Sequence, residues 1–420
     1  MNIILLIISA LIYASYGIQN FIYILFSLLT SFFVAKHLKG KSGKILLTST
    51  IVINALVLIF VKLLPYKKIN IIAPLGISYF TLQVISYLVD VYKGKYEYEK
   101  NILNYALYIM YIPHLFIGPI TRYNEIKDQI NSKRKITINN FINGSLRICF
   151  GLFKKLVIAG RVSIVITLIS QNTSTYNGSY ALFAMLLYSI LLYTDFSGGI
   201  DVVLGVSKIL GITLPENFDS PFLAQNVKEF WRRWHISLSA WLKDYVYIPL
   251  GGSRCSKLKK SANVIITFLV SGLWHGVNYI VWGILHGIFV LIGDKFNTKS
   301  KWFNRIVNFV VVSLLWSFFI WNNNITALKM IGSIFTKFNI SSLCGDFLKL
   351  GLSVIDWIIV ALSTIGIAVF DIKKDRIINK VKNLKIENKL IIICGLALII
   401  LVFGIYEIGF NVNEFIYSKF

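Results

Sequence analysis

Two histidines stand where ionisable side chains are costly to place. His275 lies near the middle of residues 262–293, a stretch without Asp, Glu, Lys or Arg. One helix needs about 20 apolar residues to cross a bilayer. The stretch is longer than that, so it reads as one tilted helix or as two segments meeting near residues 272–276. An ionisable group at such depth is a functional candidate by default. A neutral imidazole open to a polar cavity could take a proton from a hydroxyl. The competing reading is a histidine hydrogen-bonded between helices for packing. His286 follows eleven residues later and would share the face of His275 on an unbroken helix. Packing is the expectation for His286, and no third ligand stands at useful spacing, so no metal site is expected.

The second candidate, His235, sits in Phe230-Trp231-Arg232-Arg233-Trp234-His235. On one helix Arg232, His235, Ser239 and Lys243 would share a face, beside an apolar face of Trp231, Trp234, Leu238 and Trp241. Tryptophan with Arg and Lys is what a helix at the membrane–water boundary carries. Arg232 and Arg233 suit the phosphates of a donor, with Trp231 and Trp234 next to them. Anchoring to lipid headgroups fits the same residues. Glu229 and Arg233 are spaced to pair on the helix surface. Asp195 and Asp201 fall inside an apolar run, where a structural, interior-facing role is favoured over a polar path. No nucleophile elbow, P-loop or dinucleotide fingerprint occurs at a strand–helix junction, so hydrolase and nucleotide-driven readings have no support.

The elements that must position these residues are membrane helices. Of 420 residues, 56% are hydrophobic and 15% charged, where a soluble chain carries about 25% charged. Repeated long apolar runs predict an all-α, multi-pass bundle of ten to twelve membrane segments. It forms one unit, residues 1–420, with 227–293 as its core stretch. The net charge of +24 comes from short basic clusters between apolar runs. That is the pattern of cytoplasmic loops near anionic lipid, not of nucleic-acid binding. Residues 373–389 hold seven Lys or Arg against two acids and read as such a loop. The first apolar run, broken near Tyr16-Gly17, lacks a cleavage signature and is expected to be retained. Residues 45–64 are expected to end at Pro65, and Pro113-His114 to stop another helix. Residues 141–170 carry Arg147, Lys154, Lys155 and Arg161 and are expected to start at the interface and then enter. The four cysteines are scattered and imply neither disulfides nor a zinc site.

At residues 230–275 the sequence resembles the membrane-bound O-acyltransferase family, in particular its bacterial branch that O-acetylates alginate and other exported polysaccharides. The resemblance rests on Trp231-Arg232-Arg233-Trp234-His235, Ile248-Pro249-Leu250-Gly251-Gly252 and Trp274-His275-Gly276. It extends to Gly76-Ile77-Ser78-Tyr79, Gly118-Pro119-Ile120-Thr121-Arg122, Asp195-Phe196-Ser197-Gly198 and Pro215-Glu216-Asn217-Phe218. It implies interfacial or re-entrant helices around a funnel, an active-site histidine at His275 and a second motif histidine at His235. It implies transfer of an acetyl group from a cytoplasmic thioester, acetyl-CoA or an acyl carrier, to a hydroxyl of an extracytoplasmic polysaccharide or partner protein. No permanently bound cofactor is implied, and the expected location is the bacterial cell membrane. Two departures stand out: Trp321-Asn322 replaces an Arg-containing run, and the tail ending Tyr417-Ser418-Lys419-Phe420 is less aromatic. Alternatives are D-alanyl transfer to teichoic acid from a carrier-protein thioester, and a proton-coupled transporter or flippase using Asp195, Asp201, His275 and His286.

Overall fold

A computed structural model describes residues 2–63, 76–113 and 117–406. Pro65, His114 and the tail from residue 407 onward lie outside them. Among the described residues the chain is helical, without a strand. Gly17, at φ 122, divides the first apolar run into α1 (Asn2–Ser15) and α2 (Ile18–Ala35). α3 (Gly40–Leu63), α4 (Ile77–Tyr92), α5 (Ile102–Met110) and α6 (Tyr123–Asn131) follow.

The centre of the bundle is two long helical segments. The first is α7 (Ile138–Leu152), a π-helical turn (Phe153–Ala159) and α8 (Gly160–Gln171). The second is α9 (Ser179–Ile209), 31 residues long and mostly buried, whereas α18 (Val354–Ile372) and α20 (Ile386–Phe403) are mostly exposed. Glycine lets the two central segments touch through their backbones. A Cβ on Gly151 would lie 2.5 Å from the Gly198 carbonyl oxygen, and one on Gly144 would lie 2.6 Å from that of Gly205. The two pairs are seven residues apart on both helices, a small-residue seam that permits close packing in a membrane.

Three cations of this segment, Lys154, Lys155 and Arg161, are buried within the protein, and Arg147 is half-buried. Lys154 Nζ lies 2.5 Å from Asp201 and donates to Ser197 Oγ at 2.8 Å, and Lys155 Nζ donates to Asp195 at 2.5 Å. Arg147 bridges Asp201 at 3.0 Å and Glu216 at 2.5 Å, and Arg161 meets Asp356 at 2.9 Å. The π turn opens the helix where two adjacent lysines must both reach acceptors on α9. A charge removed from water is tolerated only with such partners.

The core stretch forms four helices, α10 (Val227–Arg233), α11 (Ile236–Leu242), α12 (Lys257–His275) and α13 (Ile280–Ile292). Beyond it run α14 (Lys301–Leu315), α15 (Ser317–Trp321), α16 (Asn324–Thr336) and α17 (Ile340–Asp346). Residues 373–389 are not a plain loop, because α19 (Lys374–Lys382) forms within them. Six helical stretches among the described residues are long and apolar enough to cross a membrane. They are α2, α3, α9, the α14–α15 stretch, α18 and α20. Shorter apolar helices, Asn2–Ser15 and residues 277–292 among them, accompany these six. Within residues 262–293 Gly276, at φ 143, ends α12, so the run is two helices and not one.

Candidate functional site

His235 is not inside a helix. It is the junction between α10 and α11, with φ 45 and ψ 54 in the left-handed region. The expected single face of Arg232, His235, Ser239 and Lys243 therefore does not form. Arg232 faces solvent, while His235 turns inward and is 0% exposed. The junction is held from outside by the loop before α10. The Asn217 carbonyl accepts from Ile236 N at 3.0 Å, and Asn217 Oδ1 accepts from Ser237 N at 2.9 Å and Ser237 Oγ at 2.9 Å. His235 Nδ1 lies 3.4 Å from the same Oδ1. Phe196 of α9 stands edge-on to the imidazole at 4.9 Å.

His275 is the last residue of α12 and is 3% exposed. Trp282 of α13 and Phe319 of α15 meet its ring edge-on at 5.4 and 5.5 Å. The α12–α13 hairpin closes on glycine. A Cβ on Gly272 would lie 2.4 Å from the Tyr279 carbonyl oxygen, and one on Gly283 would lie 2.3 Å from that of Phe268. Trp274 ties the hairpin to α4 through its Nε1, which donates to the Ser78 carbonyl at 3.3 Å. Lys62, at the end of α3, donates to the Trp274 carbonyl and holds its ammonium 5.0 Å from that indole ring.

The fold thus brings His235 to Trp274, the chain neighbour of His275. His235 lies 6.3 Å and His275 4.7 Å from the indole ring. The other residues from the motif separate. Trp231 Nε1 donates to His286 Nδ1 at 3.1 Å, a buried packing contact of the kind expected for His286. Trp234 is 0% exposed and stacks on Phe230 at 5.4 Å. Arg233 pairs with Glu229 at 2.9 Å, as its spacing predicts, and reaches the Asp219 carbonyl at 3.3 Å. Of these four residues Trp231 and Trp234 are buried, Arg233 is half-buried and Arg232 is exposed. Asp195 and Asp201 are ion-paired, in line with the structural role favoured for them. Among the described residues no group of three or more His, Cys, Asp or Glu is gathered to hold a metal ion. Cavities of about 640 Å³ beside Phe183 and Trp357, and about 310 Å³ beside Tyr193 and Arg305, do not border either candidate histidine.

Lys62 and the contacts of Asn217 are the residues sequence reasoning passed over. Lys62 is 212 positions from Trp274, beyond any local pattern. Asn217 lay in a motif noticed for its resemblance, with nothing to tell its partner.

A family model described as "MBOAT, membrane-bound O-acyltransferase family" matches residues 97–336. This chain belongs to that family. The match contains α10 to α13 and both candidate histidines, and leaves α18 and α20 outside it. Relatives of this membrane-bound O-acyltransferase include a "Probable alginate O-acetylase" of Pseudomonas syringae, 38% identical over 65% of this chain and 54% of the relative. A "Peptidoglycan O-acetyltransferase" of Helicobacter pylori is 34% identical over 63% of the chain and 57% of its own length. A "Teichoic acid D-alanyltransferase" of Bacillus subtilis is 29% identical over 69% and 80%. The chain spans about half the length of the acetylase relatives it matches. Family membership and the six apolar helices make it a multi-pass membrane protein.

Proposed function

We propose that this membrane-bound O-acyltransferase moves an acetyl group from a cytoplasmic thioester to a hydroxyl of an extracytoplasmic polysaccharide or of a partner protein. The observation that carries the reading is the approach of His235 and His275, forty residues apart in sequence, to the single indole of Trp274 within the family-matched segment. His275 is the general base. Its imidazole takes the acceptor hydroxyl proton as that oxygen attacks the thioester carbonyl. The carbon–sulfur bond then breaks, and the imidazolium returns the proton to the leaving thiolate. A thioester needs neither metal nor ATP for this step, only an activated alcohol and a dry, shaped site. His235 orients donor or acceptor. Arg232, the solvent-facing guanidinium of the motif, meets the phosphates of acetyl-CoA or of a carrier's prosthetic arm.

A second reading has its own support: the match extends over 80% of the D-alanyltransferase relative. Purified protein in lipid nanodiscs, given labelled acetyl-CoA or D-alanyl carrier protein, separates the two by which thioester turns over. A His275→Ala variant at normal membrane levels is expected to lose acyl transfer by about 100-fold or more. Full transfer by that variant would remove His275 from the mechanism. Turnover of neither thioester by the wild type would remove the reading altogether.

A further inference from the structure

Asn217 is 0% exposed and comes from a loop eighteen residues before His235. The N-cap position of α11 is His235 itself, whose side chain makes no capping bond. Two of the orphan backbone donors of this helix start are met instead by Asn217. Its carbonyl takes Ile236 N–H, and its Oδ1 takes Ser237 N–H and Ser237 Oγ–H. A backbone N–H can only donate, so the Asn217 side-chain atom facing Ser237 N is the oxygen, which fixes the orientation of the amide. An amide oxygen can only accept. The His235 nitrogen 3.4 Å from it, Nδ1, therefore bears the proton if the two bond.

We infer that Asn217 is the positioning residue of His235. It holds the imidazole as the Nδ1–H tautomer, with Nε2 as the basic nitrogen, and pins the left-handed backbone that turns the ring inward. The inference rests on the proposed role of His235 and adds the group that sets its chemistry. The clamp reaches further through Ser237. Its Oγ accepts from Ile120 N at 3.0 Å while donating to Asn217, so residues 118–122 are tied to the same oxygen. On the other side Arg147 grips Glu216, the neighbour of Asn217, at 2.5 to 2.6 Å. The loop carrying the amide is thereby anchored to the buried charges of α7 and α9. One amide oxygen thus links two family-like motifs to one histidine.

The test uses the full-length protein in nanodiscs with ¹⁵N-histidine, of which the chain has five. The His235 signal is assigned by its loss in His235→Asn. The wild type is expected to show His235 with a protonated Nδ1 and a bare Nε2, and Asn217→Ala to lose that single tautomer. In Asn217→Asp a carboxylate accepts the same three donors, so folding is retained. Its charge stabilises the imidazolium, so the pH at which the His235 ¹⁵N signal titrates moves up by about one unit. Asn217→Ala is expected to lower kcat by about 10- to 100-fold, below the full loss of a general acid or base, with the KM for acetyl-CoA little changed. An Nε2–H tautomer in the wild type, a His235 signal unmoved in Asn217→Ala, or a His235 signal titrating at the wild-type pH in Asn217→Asp would overturn the inference. The tautomer is read without turnover, so failure of the acyl-transfer reading leaves this arm decisive.

Discussion

Trp231 Nε1 donates a 3.1 Å hydrogen bond to Nδ1 of His286, and both side chains are buried. The accepting nitrogen must be bare, so His286 is neutral with its proton on Nε2. This contact joins α10 to α13 and gives two residues of the core stretch a packing role. Trp231→Phe removes the donor and leaves the acceptor buried, at a cost of roughly 1–3 kcal/mol. The expected outcome is a lower Tm, measured on detergent-solubilised protein, with acetyl transfer per folded molecule largely retained. Loss of transfer at unchanged Tm would instead give the pair a role in the chemistry.

The buried charges make a separate prediction. Asp201 holds both Lys154 and Arg147. Asp201→Ala leaves two cations inside the bundle short of their shared counter-charge, which costs about 3–5 kcal/mol for a buried pair. Expression should collapse or Tm should fall sharply. Removing Lys154 together with Asp201, as Lys154→Met with Asp201→Leu, should recover much of the loss. A double variant no better than Asp201→Ala would count against the pairing.

Glycine contacts provide a matched comparison. Gly283→Ala sets a methyl 2.3 Å from the Phe268 carbonyl oxygen, so the α12–α13 hairpin must open. A destabilisation of roughly 1–3 kcal/mol is expected from such overpacking. Acetyl transfer should fall as well, because His275 and Trp282 ride on the two helices. Gly332, in α16, has nothing within 4 Å of where its Cβ would stand. Gly332→Ala should raise stability by about 0.5–1 kcal/mol. Thermal unfolding of both variants side by side checks the pair of signs.

The backbone at His235 predicts an unusual order of variants. At φ 45 a β-carbon is strained, and Gly or Asn relieves that strain better than Ala. His235→Asn and His235→Gly should both lose acetyl transfer, yet each should be more stable than His235→Ala by about 1 kcal/mol. Equal Tm values across the three would show that the left-handed turn is not retained.

Much of the architecture was written into local chemistry. Apolar runs against clustered lysines determined a multi-pass helical membrane protein, because lipid admits few charges and requires internally bonded backbone. The break at Gly17, the Glu229–Arg233 pair and the interior placing of Asp195 and Asp201 follow from spacing and from the cost of a bare charge in lipid. Gly144, Gly151, Gly198 and Gly205 also carried a readable seven-residue signal, which only needed to be set side by side. The motif around His235 and His275 pointed to the proposed site. Its helix pattern was misleading, since periodicity cannot foresee a left-handed residue that breaks it. The tertiary structure alone decided that Trp231 and Trp234 are buried, one against His286 and the other against Phe230. It alone brought Lys62 to Trp274 and Asn217 to His235, and set both imidazoles against one indole. The contacts of Lys62, Asn217 and His235 join residues 18 to 212 positions apart, and side-chain type fixes what a residue can bond to without fixing which partner the packed bundle will bring to it.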